Sequence, residues 1–154
     1  MKTFDYYIFI DYSENLLGYV IIENKKVNDL VIKLNRFRHF RETRDKKLYL
    51  KNIKNTIKRE GITDYLFRLK IRKVNSSPEI YADIAVFIKK YPNCIIFISI
   101  DDKQFSNFEK FVEVINGETT KVVKESQLKQ ESREYKMSLI LDNLLNIERL
   151  KYDY

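Results

Sequence analysis

Apolar residues crowd Tyr7-Ile8-Phe9-Ile10 and return, after the polar stretch Asp11-Tyr12-Ser13-Glu14-Asn15, in Leu16-Leu17-Gly18-Tyr19-Val20-Ile21-Ile22. Aromatic and β-branched runs on either side of a short polar stretch predict two strands folded into a hairpin. Val27 to about Leu34 alternates loosely, which predicts a third strand and completes an antiparallel meander. A helix is predicted from about Asp45 to Glu60, because Leu50, Ile53 and Ile57 recur at helical spacing, Asp45 suits an N-cap and Gly61 a C-cap. Tyr65 to Val74 alternates cleanly, with Tyr65, Phe67, Leu69 and Ile71 on one face and basic residues on the other, the pattern of a half-exposed strand near a sheet edge.

Ser76-Ser77-Pro78-Glu79 then opens a helix, with a cap, a proline in the first turn and an acid soon after. Ile80, Ile84, Phe87 and Ile88 form its inner stripe and Tyr91-Pro92-Asn93 stops it. Cys94 to Ile100 is apolar on both faces apart from Ser99, so it must be covered on both sides, like a central parallel strand. Helical spacing resumes at Phe105, Phe108, Phe111, Val112 and Ile115, closed by Asn116-Gly117. Thr119 to Val123 is a further short strand, and Gln127 to about Leu150 a long helix with Asp142 among its leucines. A hairpin followed by alternating helices and strands is the order of a mixed α/β sheet covered by helices on both faces.

At 154 residues, with Gly 3 and Pro 2, the chain offers no linker or repeat at which to divide it, so a single domain over 1–154 is expected. A net charge of +7 and a pI near 9.3 favour a polyanionic partner. Cys94 is the lone cysteine, which excludes disulfides and multi-thiolate metal sites within the monomer. The start shows no signal-peptide pattern and no apolar run approaches the roughly 20 residues that span a bilayer, so a soluble cytoplasmic protein is expected. No glycine-rich nucleotide loop and no Ser-His-Asp or Cys-His pattern of recognisable spacing is present.

The candidate chemistry lies in carboxylates. Asp11 ends the first strand, and Asp101 and Asp102 follow the most buried one. Sites in such sheets form at the carboxyl ends of strands, so parallel neighbours would bring these acids together, and Asp142 joins them if the last helix packs across that end. Clustered carboxylates repel one another, and a divalent cation resolves the repulsion; hard oxygen donors suit Mg²⁺ or Mn²⁺. Two such ions about 4 Å apart activate water and stabilise the leaving oxygen of a phosphodiester. Each acid also has a structural alternative: Asp11 starting a turn, Asp101-Asp102 capping the next helix, and Asp142 paired at the edge of a buried stripe.

An Asp-ending first strand running into a hairpin, a late apolar strand ending in Asp and an Asp in the final helix resemble the ribonuclease H-like superfamily. The nearest resemblance is to an uncharacterised group whose first strand reads Ile-Asp-Glu-Ser-Gly and whose final helix reads Leu-Gln-Leu-Ala-Asp-Leu-Leu. Here Ile10-Asp11-Tyr12-Ser13 keeps Asp11 and Ser13 but not the Glu and Gly, and Leu141-Asp142-Asn143-Leu144-Leu145 is similar over an Asp-x-Leu-Leu core. The resemblance implies a metal-dependent nuclease acting on DNA or RNA, or its inactive descendant. Asp11, Asp101 and Asp142 would be catalytic, the same three with Asp102 would be metal ligands, and Glu42 falls where such proteins place a fourth acid.

From Lys33 to Arg59 the chain is heavily basic, with Phe37, Phe40 and Tyr49 interleaved. Arg36, Arg38, Arg41, Arg44 and Lys47 are the candidates for gripping a nucleic-acid backbone, and the lone His39 is read as a solvated or phosphate-contacting residue. The alternative is a solvated helix face. Besides the nuclease, two rivals follow: an inactive nucleic-acid-binding module of the same fold, and an assembly subunit that offers the 65–74 edge strand to a partner.

Overall fold

The computed structural model describes residues 3–116 and 118–151; Gly117, expected to close a helix, lies outside the described residues. β1 (Tyr6–Ser13) and β2 (Leu16–Glu23) form the expected hairpin, with Glu14 turning the chain at φ 52°. The segment from Val27 onward is not a strand but belongs to α1 (Asn24–Val31) and the turn after it. Val27, Leu30, Val31 and Leu34 stand at i, i+3, i+4 and i+7, and that helical stripe, not the loose alternation, decides the outcome: Val27, Leu30 and Leu34 are buried.

A single 3-10 turn at Phe40–Glu42 leads into α2 (Lys46–Arg59), where Asp45 caps by accepting from the Leu48 amide at 3.1 Å. Gly61 ends it in the left-handed conformation at φ 61°. β3 (Arg68–Lys73) is therefore the third strand of the meander, reached only after two helices, and it pairs antiparallel with β2. The rest of the chain alternates: α3 (Ser77–Lys90), β4 (Cys94–Ile98), α4 (Asp102–Asn116), β5 (Lys121–Lys124) and α5 (Arg133–Lys151).

The five-stranded sheet runs β3-β2-β1-β4-β5, with β1, β4 and β5 parallel. β3 is an edge strand, as its half-polar pattern requires, and its Arg68, Lys70, Arg72 and Lys73 charge that edge. Two cores flank the sheet. Tyr7, Phe9, Val20, Ile22, Ile95 and Phe97 pack against α1, α2 and α5, while Ile8, Ile10, Leu17, Ile96 and Ile98 pack against α3 and α4. Alternation along β1 sends odd-numbered side chains to the α5 face, and Asp11 follows Tyr7 and Phe9 there. Gly18, opposite Asp11 in β2, leaves room for α5: a Cβ there would lie 3.3 Å from Leu141 Cδ1 and 2.9 Å from the Lys70 carbonyl. Among the described residues no helix is long and apolar enough to cross a membrane.

Candidate active site

The strand register builds the site. Ile10 is level with Ile98, and Ile98 with Lys124. One residue further along, Asp11, Ser99 and Glu125 stand in a row across the carboxyl ends of β1, β4 and β5. They occupy the face already taken by Phe9, Phe97 and Val123. α5 packs over that face on β1 and β2 and brings Asp142 to the row. Asp11 and Asp142 are buried, and Glu125 is partly so.

These carboxyl groups disturb one another. Burial raises the Asp11 pKa well above the usual carboxylate range, and the charges of Glu125 and Asp142 raise it further; the Tyr12 amide, 2.8 Å from Oδ1, and the Ser99 hydroxyl oppose the rise. Burial likewise pushes Glu125 up to about 7, aided by Asp142 and resisted by the hydroxyls of Ser99 and Ser138. Asp142 is raised by burial as well, against the Phe40 amide, His39 and Arg41. Ser99 thus serves Asp11 and Glu125 together from the middle of the row.

Asp142 also fastens the basic segment. Its Oδ2 accepts the Phe40 amide at 2.8 Å, His39 Nε2 lies 3.5 Å from its Oδ1, and the next residue, Asn143, donates Nδ2 to the Arg38 carbonyl at 3.0 Å. His39 Nδ1 is buried without a hydrogen-bond partner among the described residues. One turn along α5, Asn146 Oδ1 accepts from Ser13 Oγ at 3.0 Å and from Arg149, whose guanidinium also reaches Glu14 and lies over the Phe40 ring. Ser13 is thereby tied to the same helix as Asp142.

Asp101 and Asp102 take no part. β4 ends at Ile98, so the chain has left the sheet two residues before it reaches them. Asp101 Oδ1 accepts the Gln104 amide at 2.8 Å as a helix cap, and the exposed Asp102 pairs with Lys124. Glu42 is exposed on the 3-10 turn, close enough for its charge to raise Asp142. The basic candidates divide. The 38–41 segment lies on the Asp11 face, with Arg41 acting on Asp142. Arg36 lines a cleft beside α2, Lys47 lines a groove between α2 and α5, and Arg44 is exposed.

Glu125 and Ser99 were not among the expected residues. The available signal was strand alternation: Val123 faces the core, so two residues on Glu125 faces the same way, as Ser99 does after Phe97.

In kind, the donors fit a hard divalent cation: carboxylate oxygens withdrawn from water at one end of the sheet, with no lysine or arginine ion-paired to Asp11 or Glu125 among the described residues. In arrangement they are open, since among the described residues no three His, Cys, Asp or Glu side chains are gathered closely enough to hold one ion.

No protein-family model and no curated protein matches the sequence. Among solved structures the chain is similar to ribonuclease HII from Archaeoglobus fulgidus, known in complex with PCNA. The identity is 13% and the TM-score 0.53, with 94% of this chain and 73% of that chain covered. The fold is ribonuclease H-like. At this identity the likeness speaks for the ribonuclease H-like architecture and not for a shared activity.

Proposed function

We propose that the protein is a divalent-metal-dependent nuclease that hydrolyses phosphodiester bonds in DNA or RNA, with Asp11, Glu125 and Asp142 as the candidate ligands. One observation carries this reading: acids from three distant parts of the chain share one end of a ribonuclease H-like sheet, where the charge of Asp142 raises the pKa values of Asp11 and Glu125 and that of Glu125 raises Asp11. Asp142 has the Phe40 amide and His39 beside it, but Asp11 and Glu125 are held away from water without a basic partner among the described residues, and a divalent cation would be a counterion for both. A bound Mg²⁺ or Mn²⁺ would supply Lewis-acid activation of water and charge stabilisation at the leaving oxygen. The chain's own residues orient the site. Ser99 stands between Asp11 and Glu125, the Phe40 amide fixes Asp142, and Arg41 sets positive charge beside it for a phosphate.

Cleavage of a panel of single-stranded, duplex and hybrid nucleic acids is expected with Mg²⁺ or Mn²⁺, and is expected to vanish in Asp11→Asn. Activity that survives this change removes Asp11 from the mechanism. The second reading, a binding module without chemistry, draws on Tyr12 standing where the resembling group has Glu and on the open arrangement of the acids. It predicts salt-sensitive binding of nucleic acid without added metal and no cleavage under any metal.

A further inference from the structure

The helix α2 carries two different polar faces. Lys47, Lys51 and Lys54 run along one, beside Leu50, Ile147 and Leu150, in a groove floored by apolar side chains. Asn52, Asn55, Thr56 and Arg59, at i, i+3, i+4 and i+7, run along another for about 10 Å. That second face and the chain at Arg36 enclose a cleft of about 420 Å³. It continues past Lys33, which with Arg59 is paired to Glu60 at 3.5 and 3.6 Å. Three cations against one acid leave the cleft positive, and its walls offer amide donors and acceptors beside the apolar surface of Tyr49 and Ile53.

The cleft is also joined to the carboxylate row by an unbroken set of contacts. Tyr49 lines its end, and the Tyr49 hydroxyl both accepts from the Arg38 amide at 2.7 Å and donates to the Arg38 carbonyl at 2.9 Å. The same carbonyl accepts from Asn143, and two residues on, the Phe40 amide binds Asp142. The loop that forms one side of the cleft is therefore the loop that closes over the acids.

We infer that this cleft is a binding site for an unpaired nucleotide of a single-stranded nucleic acid, with Arg36 and Arg59 on phosphates and Asn52 and Asn55 on base or sugar edges. This rests on the nucleic-acid reading above but not on cleavage. A cleft of this volume admits a single nucleotide and not the body of a duplex. Unpaired nucleotides expose the base edges that side-chain amides recognise, whereas a plain lysine row tracks phosphates alone.

The test is fluorescence anisotropy of labelled single-stranded RNA, single-stranded DNA and duplex DNA with the full chain in EDTA over a series of salt concentrations. Single strands are expected to bind at least tenfold tighter than duplex, and the RNA and DNA arms decide whether the sugar is read. Arg36→Ala/Arg59→Ala is expected to weaken single-strand binding by tenfold or more. It should also reduce the slope of log K against log salt by about 1.4, two phosphate contacts at about 0.7 each. Asn52→Ala/Asn55→Ala should weaken binding severalfold with the slope unchanged, and circular dichroism checks that each variant is folded. Preference for duplex overturns the inference, as does an unaltered slope in the arginine variant while Lys51→Ala/Lys54→Ala abolishes binding. If single strands bind as described but no metal produces cleavage, the nuclease reading fails and this one stands; cleavage that ignores both cleft variants does the reverse.

Discussion

Replacing Glu125 by Gln removes one charge from the row and keeps a side chain of the same shape that still reaches Ser99 and Ser138. The folded protein holds the Glu125 proton up to about pH 7, whereas the ordinary value is 4.5. Between those two values the native state binds more protons than the unfolded one, so stability falls as pH rises through that window and the loss persists above it. At about 1.4 kcal/mol for each pH unit, the cost of ionising Glu125 in place is at most about 3 kcal/mol. Glu125→Gln is therefore expected to be more stable than the parent at pH 8 by about 1–3 kcal/mol, and to match it or fall slightly below it at pH 5. For a chain of this length that is a midpoint shift of roughly 2 to 12 °C. Thermal unfolding followed by circular dichroism at pH 5, 6, 7 and 8 in EDTA reads the difference. Equal pH profiles for the two proteins, or a variant less stable at pH 8, would refute the reasoning that Glu125 is crowded by burial and by Asp142. The same scan with Mn²⁺ should raise the midpoint of the parent at pH 8 more than that of the variant.

Gly18→Ala is expected to cost about 1–3 kcal/mol, because the new Cβ would lie 2.9 Å from the Lys70 carbonyl and 3.0 Å from Ile71 Cγ1, forcing β2 and β3 apart. Urea unfolding measures it, and a loss under 0.5 kcal/mol would show that the pair of strands yields without strain. Asn143→Ala removes donations of 3.0 Å to the Arg38 carbonyl and 2.7 Å to the Leu139 carbonyl. It should lower stability by about 1–3 kcal/mol and speed hydrogen exchange of the Phe40 amide; unchanged exchange would mean that Asp142 alone secures the loop.

Much of the fold was legible because most elements satisfy one rule at a time. The hairpin, the capped α2 with its Gly61 stop, the proline-started α3 and the doubly covered β4 each announce themselves locally. The stretch after Glu23 did not: Val27 to Leu34 is short, with five aliphatic residues among its eight, and such a stretch fits a strand and a helix almost equally until the packing of Val27, Leu30 and Leu34 decides between them. In the site, Asp11 and Asp142 were legible as acids lodged in apolar patterns. Asp101 misleads because the apolar run continues to Ile100 while the strand ends at Ile98. The strand ends at Ile98, with the Ser99 amide still donating to the Ile10 carbonyl at 3.1 Å, and the register then awards the central place to Ser99, a residue with no charge to draw notice. Glu125 escaped because its meaning depends on the alignment of β5 with β4, a relation between strands more than 20 residues apart.

That register makes a sharper demand on the metal reading than any deletion. Ser99 stands between Asp11 and Glu125, so Ser99→Asp would place a further acid at the middle of the row, whereas Asp101 lies on the helix cap beyond it. Without metal, the added carboxylate should aggravate the repulsion and remove the hydroxyl that both neighbours use, lowering stability at pH 8 by about 2 kcal/mol or more. With Mn²⁺ the deficit should narrow, since another hard oxygen ligand tightens binding. A tenfold lower Kd adds about 1.4 kcal/mol of stabilisation at saturating metal. The comparison needs only thermal midpoints with and without Mn²⁺ for the parent, Ser99→Asp and Asp101→Ser. A larger Mn²⁺ shift in Ser99→Asp and an unchanged one in Asp101→Ser place the cation beside the row. Equal shifts in all three would mean that the row attracts no cation, and would leave the buried acids to a purely structural role in anchoring the 38–41 segment.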